Sequence, residues 1–143
     1  MGYKTILCPK CGSNEVHELY DYIIYSIRYD DNGNMVTEPY EQGSLSEYWC
    51  AECENEEIVT LVVNDKDELV KLNELEGKER IKYALKLIKE GKAKVIYADW
   101  QDKIRNNIDF LVYLIKHHVD TEIEELAKEV LKEIAPREVV ELL

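Results

Sequence analysis

The feature that most constrains the fold of this chain is a pair of Cys-x-x-Cys motifs. The first lies in LCPKCGSNE and contributes Cys8 and Cys11, and the second lies in YWCAECENE and contributes Cys50 and Cys53. The 38 residues from 12 to 49 separate the two motifs. Each motif can present two thiolates from one tight turn, and four thiolates complete a tetrahedral shell around Zn²⁺. The sequence therefore predicts that two distant parts of the chain meet at one structural zinc ion.

Three other interpretations of the cysteines are a redox dithiol, a pair of disulfides and an iron site of the rubredoxin kind. A redox Cys-x-x-Cys lies between a strand and a helix of a βαβ unit, and neither motif has that setting. Four thiolates bind iron as well as zinc, so the ligands leave the metal open between the two. Because four cysteines leave no open coordination position, the metal is expected to stabilise the fold and not to catalyse a reaction.

The chain is expected to be cytoplasmic and free of membranes. No run of 18 apolar residues occurs, and the N-terminus lacks the basic and then apolar layout of a secretory signal. Disulfides are rare in a reducing compartment, which favours metal ligation for the cysteines.

Composition and charge change near residue 64. Residues 1–64 carry three basic and twelve acidic side chains, a net charge of −9, whereas residues 65–143 carry fifteen basic and eighteen acidic ones, a net charge of −3. All four cysteines lie in the more acidic part. We therefore predict an α+β protein with a zinc-bearing part over 1–64, containing a long hairpin insertion, and a helical part over 65–143.

Aromatic and β-branched residues predict a small antiparallel sheet in the first part. Residues 20–30 are expected to form a strand, residues 31–34 (DNGN) a tight turn and residues 35–40 (MVTEPY) the return strand. Another strand is predicted over residues 56–64, after the second cysteine pair. A hairpin of this kind brings the two cysteine pairs side by side.

Apolar residues at helical spacing predict about four helices in the second part. The first two are expected over residues 66–76 and 78–90, with Gly91 as the stop signal. Residues 94–98 (KVIYA) suit either a short strand or a connector.

The third helix is expected to run from a cap at Asp99 to residue 119. It is apolar on nearly all sides, which predicts a central position in the fold. The fourth is expected to open with the capping box Thr121-x-x-Glu124.

The first motif resembles the zinc-ribbon proteins, whose rubredoxin-type hooks read C-P-x-C-G-x. Residues 8–13, which we call the first hook, match that pattern at every fixed position. In residues 50–55, the second hook, Glu54 and Asn55 follow Cys53 in place of glycine, and Asn55 is expected to supply the left-handed conformation that the turn needs. The resemblance covers roughly residues 6–64, and it implies a fold and a metal without implying an activity.

Several other residues are candidate site residues. His17 could replace a cysteine ligand, but an ordinary strand histidine is the favoured interpretation. Asp30 and Asp31 lie at the predicted hairpin tip. Transcript-cleavage factors, which resemble zinc ribbons, hold Mg²⁺ with carboxylates at such a tip, but the Arg-Ser-Ala-Asp-Glu run of that family is absent here. An Asp-Asn-Gly turn needs the same residues for its backbone alone. His117 and His118 are interpreted as a helix C-terminal signal.

Residues 78–94 form the most basic segment. Four of its lysines recur at three or four residues and so form one stripe on a helix: Lys78, Lys82, Lys86 and Lys89. This stripe is a candidate contact for phosphates or for an acidic partner, and the alternative is the solvated face of an amphipathic helix. No phosphate-binding loop, nucleophile elbow or HExxH helix occurs in the sequence, so a non-enzymatic protein is expected.

Together these features predict a zinc-stabilised interaction or adaptor protein. A protein partner is expected for the acidic ribbon, plausibly within transcription or DNA-processing machinery of the archaeal, viral or mobile-element type. Nucleic acid is disfavoured for the ribbon, because phosphate binding relies on lysine and arginine. The alternative is a nucleic-acid-binding regulator that uses the cationic helix, and a second copy of the chain is a further candidate partner.

Overall fold

A computed structural model describes residues 2–20, 23–42, 47–97, 104–118 and 120–137. Within these ranges the chain forms seven strands: β1 (Tyr3–Leu7), β2 (Glu15–Tyr20), β3 (Ile23–Tyr29), β4 (Met35–Gln42), β5 (Glu47–Cys50), β6 (Val59–Val63) and β7 (Ala93–Ile96). It also forms four helices: α1 (Lys66–Glu74), α2 (Gly77–Lys89), α3 (Asn107–His117) and α4 (Thr121–Ile134). The predicted α+β class is confirmed.

The strands form two antiparallel sheets, with the orders β1-β6-β7 and β4-β3-β2-β5. The predicted hairpin around DNGN is confirmed as β3 and β4. The single strand predicted over residues 20–30 is wrong at its start, because Tyr20 ends the separate strand β2. The segment KVIYA, left open between two interpretations, contributes β7, which pairs with β6.

The two hooks lie where the chain passes from one sheet to the other. The first hook connects β1 to β2, and the second connects β5 to β6. Because β1 pairs with β6 and β2 pairs with β5, the two strand-hook-strand segments run antiparallel along their whole length. The four cysteines therefore meet at the junction of the sheets.

The larger buried cluster combines β-strands of the first part with helices of the second. Leu7, Leu61 and Val63 from the strands pack with Leu85 and Phe110 from α2 and α3, all fully buried. Burial of each such side chain stabilises the fold by about 1.5–3 kcal/mol. The chain division at residue 64 stays a prediction, and this shared cluster joins the two parts in the structure.

A smaller cluster surrounds the cysteines. It consists of Ile6, Cys8, Val16, Ile27, Tyr29, Cys50 and Ile58. Ile6 and Leu7 are adjacent in β1 and belong to different clusters, because successive side chains of a strand point to opposite faces. The three-stranded sheet is thus covered on both faces.

The helix ends differ from the predicted ones. The described part of α3 begins at Asn107, after an N-cap at Asn106 whose side chain accepts from the Asp109 amide at 2.9 Å. The predicted cap, Asp99, lies outside the described residues. The helix α4 is capped by Asp120 and not by Thr121, since a carboxylate one residue earlier accepts from two first-turn amides and also suits the helix dipole.

The stop signal of α2 is confirmed. Gly91 has φ +73°, and its amide donates to the Ile88 carbonyl. None of the described helices is long and apolar enough to cross a membrane.

Candidate metal centre

The two hooks have the same backbone architecture. In the first, the Cys8 amide donates to the Ser13 carbonyl at 2.8 Å, and in the second the Cys50 amide donates to the Asn55 carbonyl at 2.8 Å. The amide of the residue after the second cysteine then donates to the backbone carbonyl of the first cysteine. The distance is 2.9 Å in the first hook and 3.0 Å in the second. Each hook is therefore a closed turn that holds two thiols.

The left-handed residue lies at the equivalent place in both hooks. It is Gly12 in the first, with φ +81°, and Glu54 in the second, with φ +64°. The expectation that Asn55 supplies this conformation is wrong, because the hydrogen bonds of the hook fix the position directly after the second cysteine. A non-glycine residue in this conformation costs about 1–2 kcal/mol.

One donor atom from each of the four cysteines lies within 4.8 Å of every other. The Sγ atoms of Cys8 and Cys53 are 3.6 Å apart, and those of Cys11 and Cys50 are 3.5 Å apart. A tetrahedron with Zn–S bonds of about 2.3 Å has S···S edges of about 3.8 Å. The donor set therefore fits a tetrahedral metal ion with only small adjustments of the sulfur positions.

Neighbouring groups of the second hook donate hydrogen bonds to the sulfurs. The Glu52 amide donates to Cys50 Sγ at 3.4 Å, and the side-chain amide of Asn55 donates to Cys8 Sγ at 3.7 Å. Asn55 also donates to the Glu57 carbonyl at 2.8 Å, which fixes its side chain. Such contacts orient ligands and temper their charge. Sequence reasoning missed this role of Asn55, although its place in the hook was a usable signal.

The thiols perturb one another strongly. Hydrogen bonds from Cys11 and Cys8 lower the pKa of Cys50, and the hydrogen bond with Cys50 is the largest effect that raises the pKa of Cys11. The Cys11 thiol favours ionisation of Cys8, but the hydrogen bond with Cys50 and burial outweigh it and raise the pKa of Cys8 to about 12. Four thiolates this close repel each other, so full ionisation requires a cation among them.

The helix α2 contacts the first hook through a buried arginine. Arg80 is only 7% exposed, and its Nη1 donates to the Gly12 carbonyl at 2.6 Å. Its Nε and Nη2 atoms donate to the Leu72 and Asn73 carbonyls, both at 3.2 Å, which lie near the end of α1. The pKa of Arg80 is lowered by burial, an effect opposed by the negative charges of Glu76 and Cys11. Arg80 therefore joins three segments and also places a positive charge beside the thiols.

Backbone touches backbone where α2 meets the hook. A Cβ atom on Gly12 would lie 2.0 Å from the carbonyl oxygen of Gly77, the first residue of α2. No side chain fits there, so glycine is needed at position 12 for this contact as well as for its φ. The N-terminal end of α2 therefore packs directly against the first hook.

The helix α3 supplies two further contacts. The pKa of Tyr113 is raised by burial, while its hydroxyl interacts with the side chain of Asn55. His118 caps α3 and accepts from the Asp120 amide at 3.0 Å through Nδ1. Its pKa is lowered by burial, although Asp120 and the backbone of Lys10 favour the protonated form.

His17 lies in β2 and does not belong to the group of four cysteines. Its ring stacks on Tyr40 with centroids 4.3 Å apart and meets the edge of Trp49 at 5.9 Å. Within the described part of the chain, the only metal-ligating group of three or more His, Cys, Asp or Glu residues is the four cysteines.

The acidic hairpin tip is organised by its own backbone. Asp30 Oδ1 accepts from the amides of Asn32 and Asn34 at 2.9 and 3.0 Å. Asp31 accepts from the side chain of Asn73 at 3.1 Å, which ties the tip to α1. Asp30 therefore stabilises the turn itself, whereas Asp31 contacts α1.

The lysine stripe of α2 faces acidic residues of α4. Lys78 pairs with Asp120 at 3.2 Å and with Glu122 at 2.8 Å, and Lys82 also pairs with Glu122. The pKa values of both lysines are raised, chiefly by the Glu122 carboxylate. This end of the stripe is therefore engaged within the molecule.

The other end of the stripe is mixed. Lys89 pairs with Glu129 at 3.1 Å and with Glu133 at 3.5 Å. Lys86 is exposed and lies 5.4 Å from the ring centroid of Tyr83. Binding of a partner by these lysines remains a prediction.

Comparisons of the chain with models of known protein families, with curated proteins and with solved structures gave no significant match.

Proposed function

We propose that this protein is a non-enzymatic, zinc-stabilised interaction protein. The observation that carries the proposal is the closed set of four cysteines at the junction of the two sheets. Zn²⁺ with four cysteine ligands is inert as a Lewis acid, since no coordination position is left for water or substrate. The ion would be held by Cys8, Cys11, Cys50 and Cys53, and its contribution is to join the sheets.

The energetic scale supports a stabilising role. Zinc binding to small cysteine-rich folds supplies on the order of 10–16 kcal/mol of apparent free energy at neutral pH. A whole domain is typically stable by only about 5–15 kcal/mol. Loss of the ion would therefore remove most of the stability of the elements that meet at the hooks.

Elemental analysis of the purified chain tests the metal directly. We expect one zinc ion per chain and a colourless protein, whereas an iron-thiolate site absorbs visible light. A chain that binds neither metal, and keeps its near-ultraviolet dichroism after dialysis against a strong chelator, would contradict the proposal.

The interaction role is supported by the charge of the ribbon. Glu52, Glu54 and Glu56 surround the second hook, all three side chains are exposed, and none forms an ion pair with a residue that the structure describes. Together with four thiolates around a dication, they make this end of the molecule strongly negative. We infer a protein partner with a basic surface, in transcription or DNA-processing machinery by analogy with other zinc ribbons.

Charge reversal tests where such a partner docks. The variant Glu54→Lys with Glu56→Lys is expected to weaken binding of a captured partner. Added salt should weaken binding of the unmodified chain by a similar factor. The control Glu74→Lys with Glu125→Lys makes the same change of net charge on exposed helical positions and should bind normally. Equal effects of both variants would argue against docking at the second hook.

A binding assay with DNA and RNA tests the alternative function, a nucleic-acid-binding regulator. The ion pairs of Lys78, Lys82 and Lys89 with α4 leave less positive charge for phosphates than the sequence alone suggests. We expect no binding of duplex or single-stranded oligonucleotides at low salt. Tight binding that falls steeply with salt and is lost in Lys82→Glu, Lys86→Glu would instead favour the nucleic-acid-binding regulator.

A further inference from the structure

Two of the four cysteines are partly exposed residues, and each hook supplies one of them. Cys11 and Cys53 are half-buried, whereas Cys8 and Cys50 are 1% and 0% exposed. Cys11 also lines a cleft of about 540 Å³ between the first hook and the start of α2, whose other walls include Glu52, Gly77 and Arg80. A small polar molecule can therefore approach the Cys11 residue.

The thiol contacts cross from one hook to the other. Cys11 Sγ lies 3.5 Å from Cys50 Sγ, and Cys8 Sγ lies 3.6 Å from Cys53 Sγ. Each of these two pairs joins a half-buried cysteine to a fully buried one. A reactive group formed on the accessible sulfur is thus already in contact with its partner in the opposite hook.

We propose that the metal centre is a peroxide-sensitive site in which Cys11 is oxidised first and the bonds formed are Cys11–Cys50 and then Cys8–Cys53. The proposal rests on the zinc centre described above. It assigns Cys11 as the entry point, because Cys11 lines the cleft whereas its partner Cys50 is fully buried.

The chemistry balances with peroxide as the oxidant. The Cys11 thiolate attacks one oxygen of hydrogen peroxide, which gives a sulfenic acid and hydroxide. The Cys50 sulfur then displaces the hydroxyl group of the sulfenic acid, so that the S–S bond forms and, with one proton, water leaves. The same two steps at Cys53 and Cys8 consume a second peroxide. In total, four thiolates lose four electrons, two peroxides become four waters with four protons, and one Zn²⁺ is released.

The pairing decides what happens to the fold. Bonds between the hooks hold together the same points of β1, β5 and β6 that the metal holds. Bonds within each hook, Cys8–Cys11 and Cys50–Cys53, would leave the hooks unconnected. The oxidised, zinc-free protein is therefore expected to keep the sheet junction and most of its tertiary structure.

Peptide mapping of the zinc-loaded chain after treatment with hydrogen peroxide tests the proposal. Trypsin cuts after Lys10 and a glutamate-specific protease cuts after Glu52, so the four cysteines fall on four different peptides. We expect Cys11–Cys50 to appear first and Cys8–Cys53 second, with zinc release measured by a colorimetric chelator. Bonds within the hooks, or oxidation of Cys11 to sulfinic acid without a disulfide, would overturn the proposal.

Trapping of sulfenic acid in the zinc-loaded wild-type chain tests the entry point. During brief treatment with hydrogen peroxide and dimedone, we expect the trapped group on the peptide that carries Cys11 before any appears on the peptide that carries Cys53. Trapping on Cys53 first would make Cys53 the entry point and contradict the assignment. If the chain is purified without metal, the proposed zinc centre is refuted. The proposed cysteine pairing can then still be tested by peptide mapping of the reduced, metal-free chain after treatment with peroxide.

Discussion

Gly12 and Glu54 adopt the same left-handed conformation at equivalent places in the two hooks, and only the first is glycine. In the first hook a side chain is also excluded by the contact with Gly77. In the second hook the side chain points to solvent, so the cost at Glu54 is conformational strain alone. A positive φ is therefore required in both hooks, whereas the absence of a side chain is required only in the first.

Glu54→Gly is expected to stabilise the metal-loaded protein by up to about 1 kcal/mol. The change removes about 1–2 kcal/mol of left-handed strain and adds about 0.5–1 kcal/mol of chain entropy in the unfolded state. Urea unfolding measures the difference. Glu52→Gly, in the same hook without a positive φ, should lose stability, and a gain in that control would show that the strain argument does not hold.

Arg80→Met is expected to destabilise the protein by about 3 kcal/mol, because three buried carbonyls lose their donor. Arg80→Lys should recover part of the loss through one of these hydrogen bonds. Urea unfolding of both variants, with the exposed Lys86→Met as a control, measures the effect. A change at Arg80 no larger than the control would mean that the buried guanidinium does not join α1, α2 and the first hook.

The stability of the protein should decrease as the pH falls below about 6.5, in part because of His118. Burial lowers its pKa in the folded protein, while the unfolded chain keeps the ordinary pKa of about 6.5. The unfolded state therefore binds more protons over this range, which favours unfolding as the pH falls. His118→Asn should lose less stability between pH 7 and about 5.5 than the wild type, measured by urea unfolding at each pH.

The control for this prediction is His117→Asn, since His117 is exposed and adjacent. Groups that act on His118 besides burial are Asp120 and Lys78, together with the backbone of Lys10. Acid-dependent loss of the metal affects all three proteins alike. Identical pH profiles for the His118 and His117 variants would exclude His118 as a source of the dependence.

At the scale of elements, α2 and α4 meet through complementary charges as well as apolar packing. Lys82 lies beside Glu79 and Glu122. Lys82→Glu is expected to lower the thermal midpoint, because it places three carboxylates together. The double change Lys82→Glu, Glu122→Lys restores the opposite charges at this pair and should recover part of the loss, since position 122 also lies beside Lys78. If the double variant is no more stable than the single one, this ion pair does not contribute to helix docking.

The helices were easier to predict from the sequence than the strands. The period of Ile81, Ala84, Leu85 and Ile88 predicts the buried face of α2, and the structure confirms it. The short strands β1, β2 and β5 were missed, since β1 is buried over three consecutive residues and shows no alternation. The start of α3 depends on tertiary contacts: Asn107 Oδ1 accepts from the Val95 amide of β7 at 2.7 Å. Such a contact leaves no local signal.

At the scale of the whole molecule, the candidate metal centre is a point where β-strands and helices meet. The ligands were predictable because their spacing is local to each hook. Arg80, Tyr113 and His118 were not predictable as its neighbours, because they lie far along the chain and the fold alone brings them there. Because these residues follow residue 64 and contact the hooks, they also bear on whether residues 65–143 fold independently of residues 1–64.

Metal removal is expected to unfold more than the strands that carry the hooks. Since α2 rests on the first hook through Gly77 and Arg80, chelation should remove hydrogen-exchange protection from amides of α2 together with those of β1 and β6. Hydrogen exchange with mass spectrometry measures both regions in one experiment. Full protection of α2 in a metal-free protein whose strands exchange freely would show that residues 65–143 fold independently.

The pairing of β1 with β6 also determines how much of the chain must be synthesised before the three-stranded sheet can form. Tyr3 in β1 is opposite Val63 in β6, and 36 residues, 14–49, lie between the two hooks. A nascent chain that has emerged only as far as β4 therefore carries an unpaired strand and two thiols without their partner hook. Until the second hook and β6 emerge, the two thiols of the first hook lack the other two ligands, and long-range closure of this kind is slow.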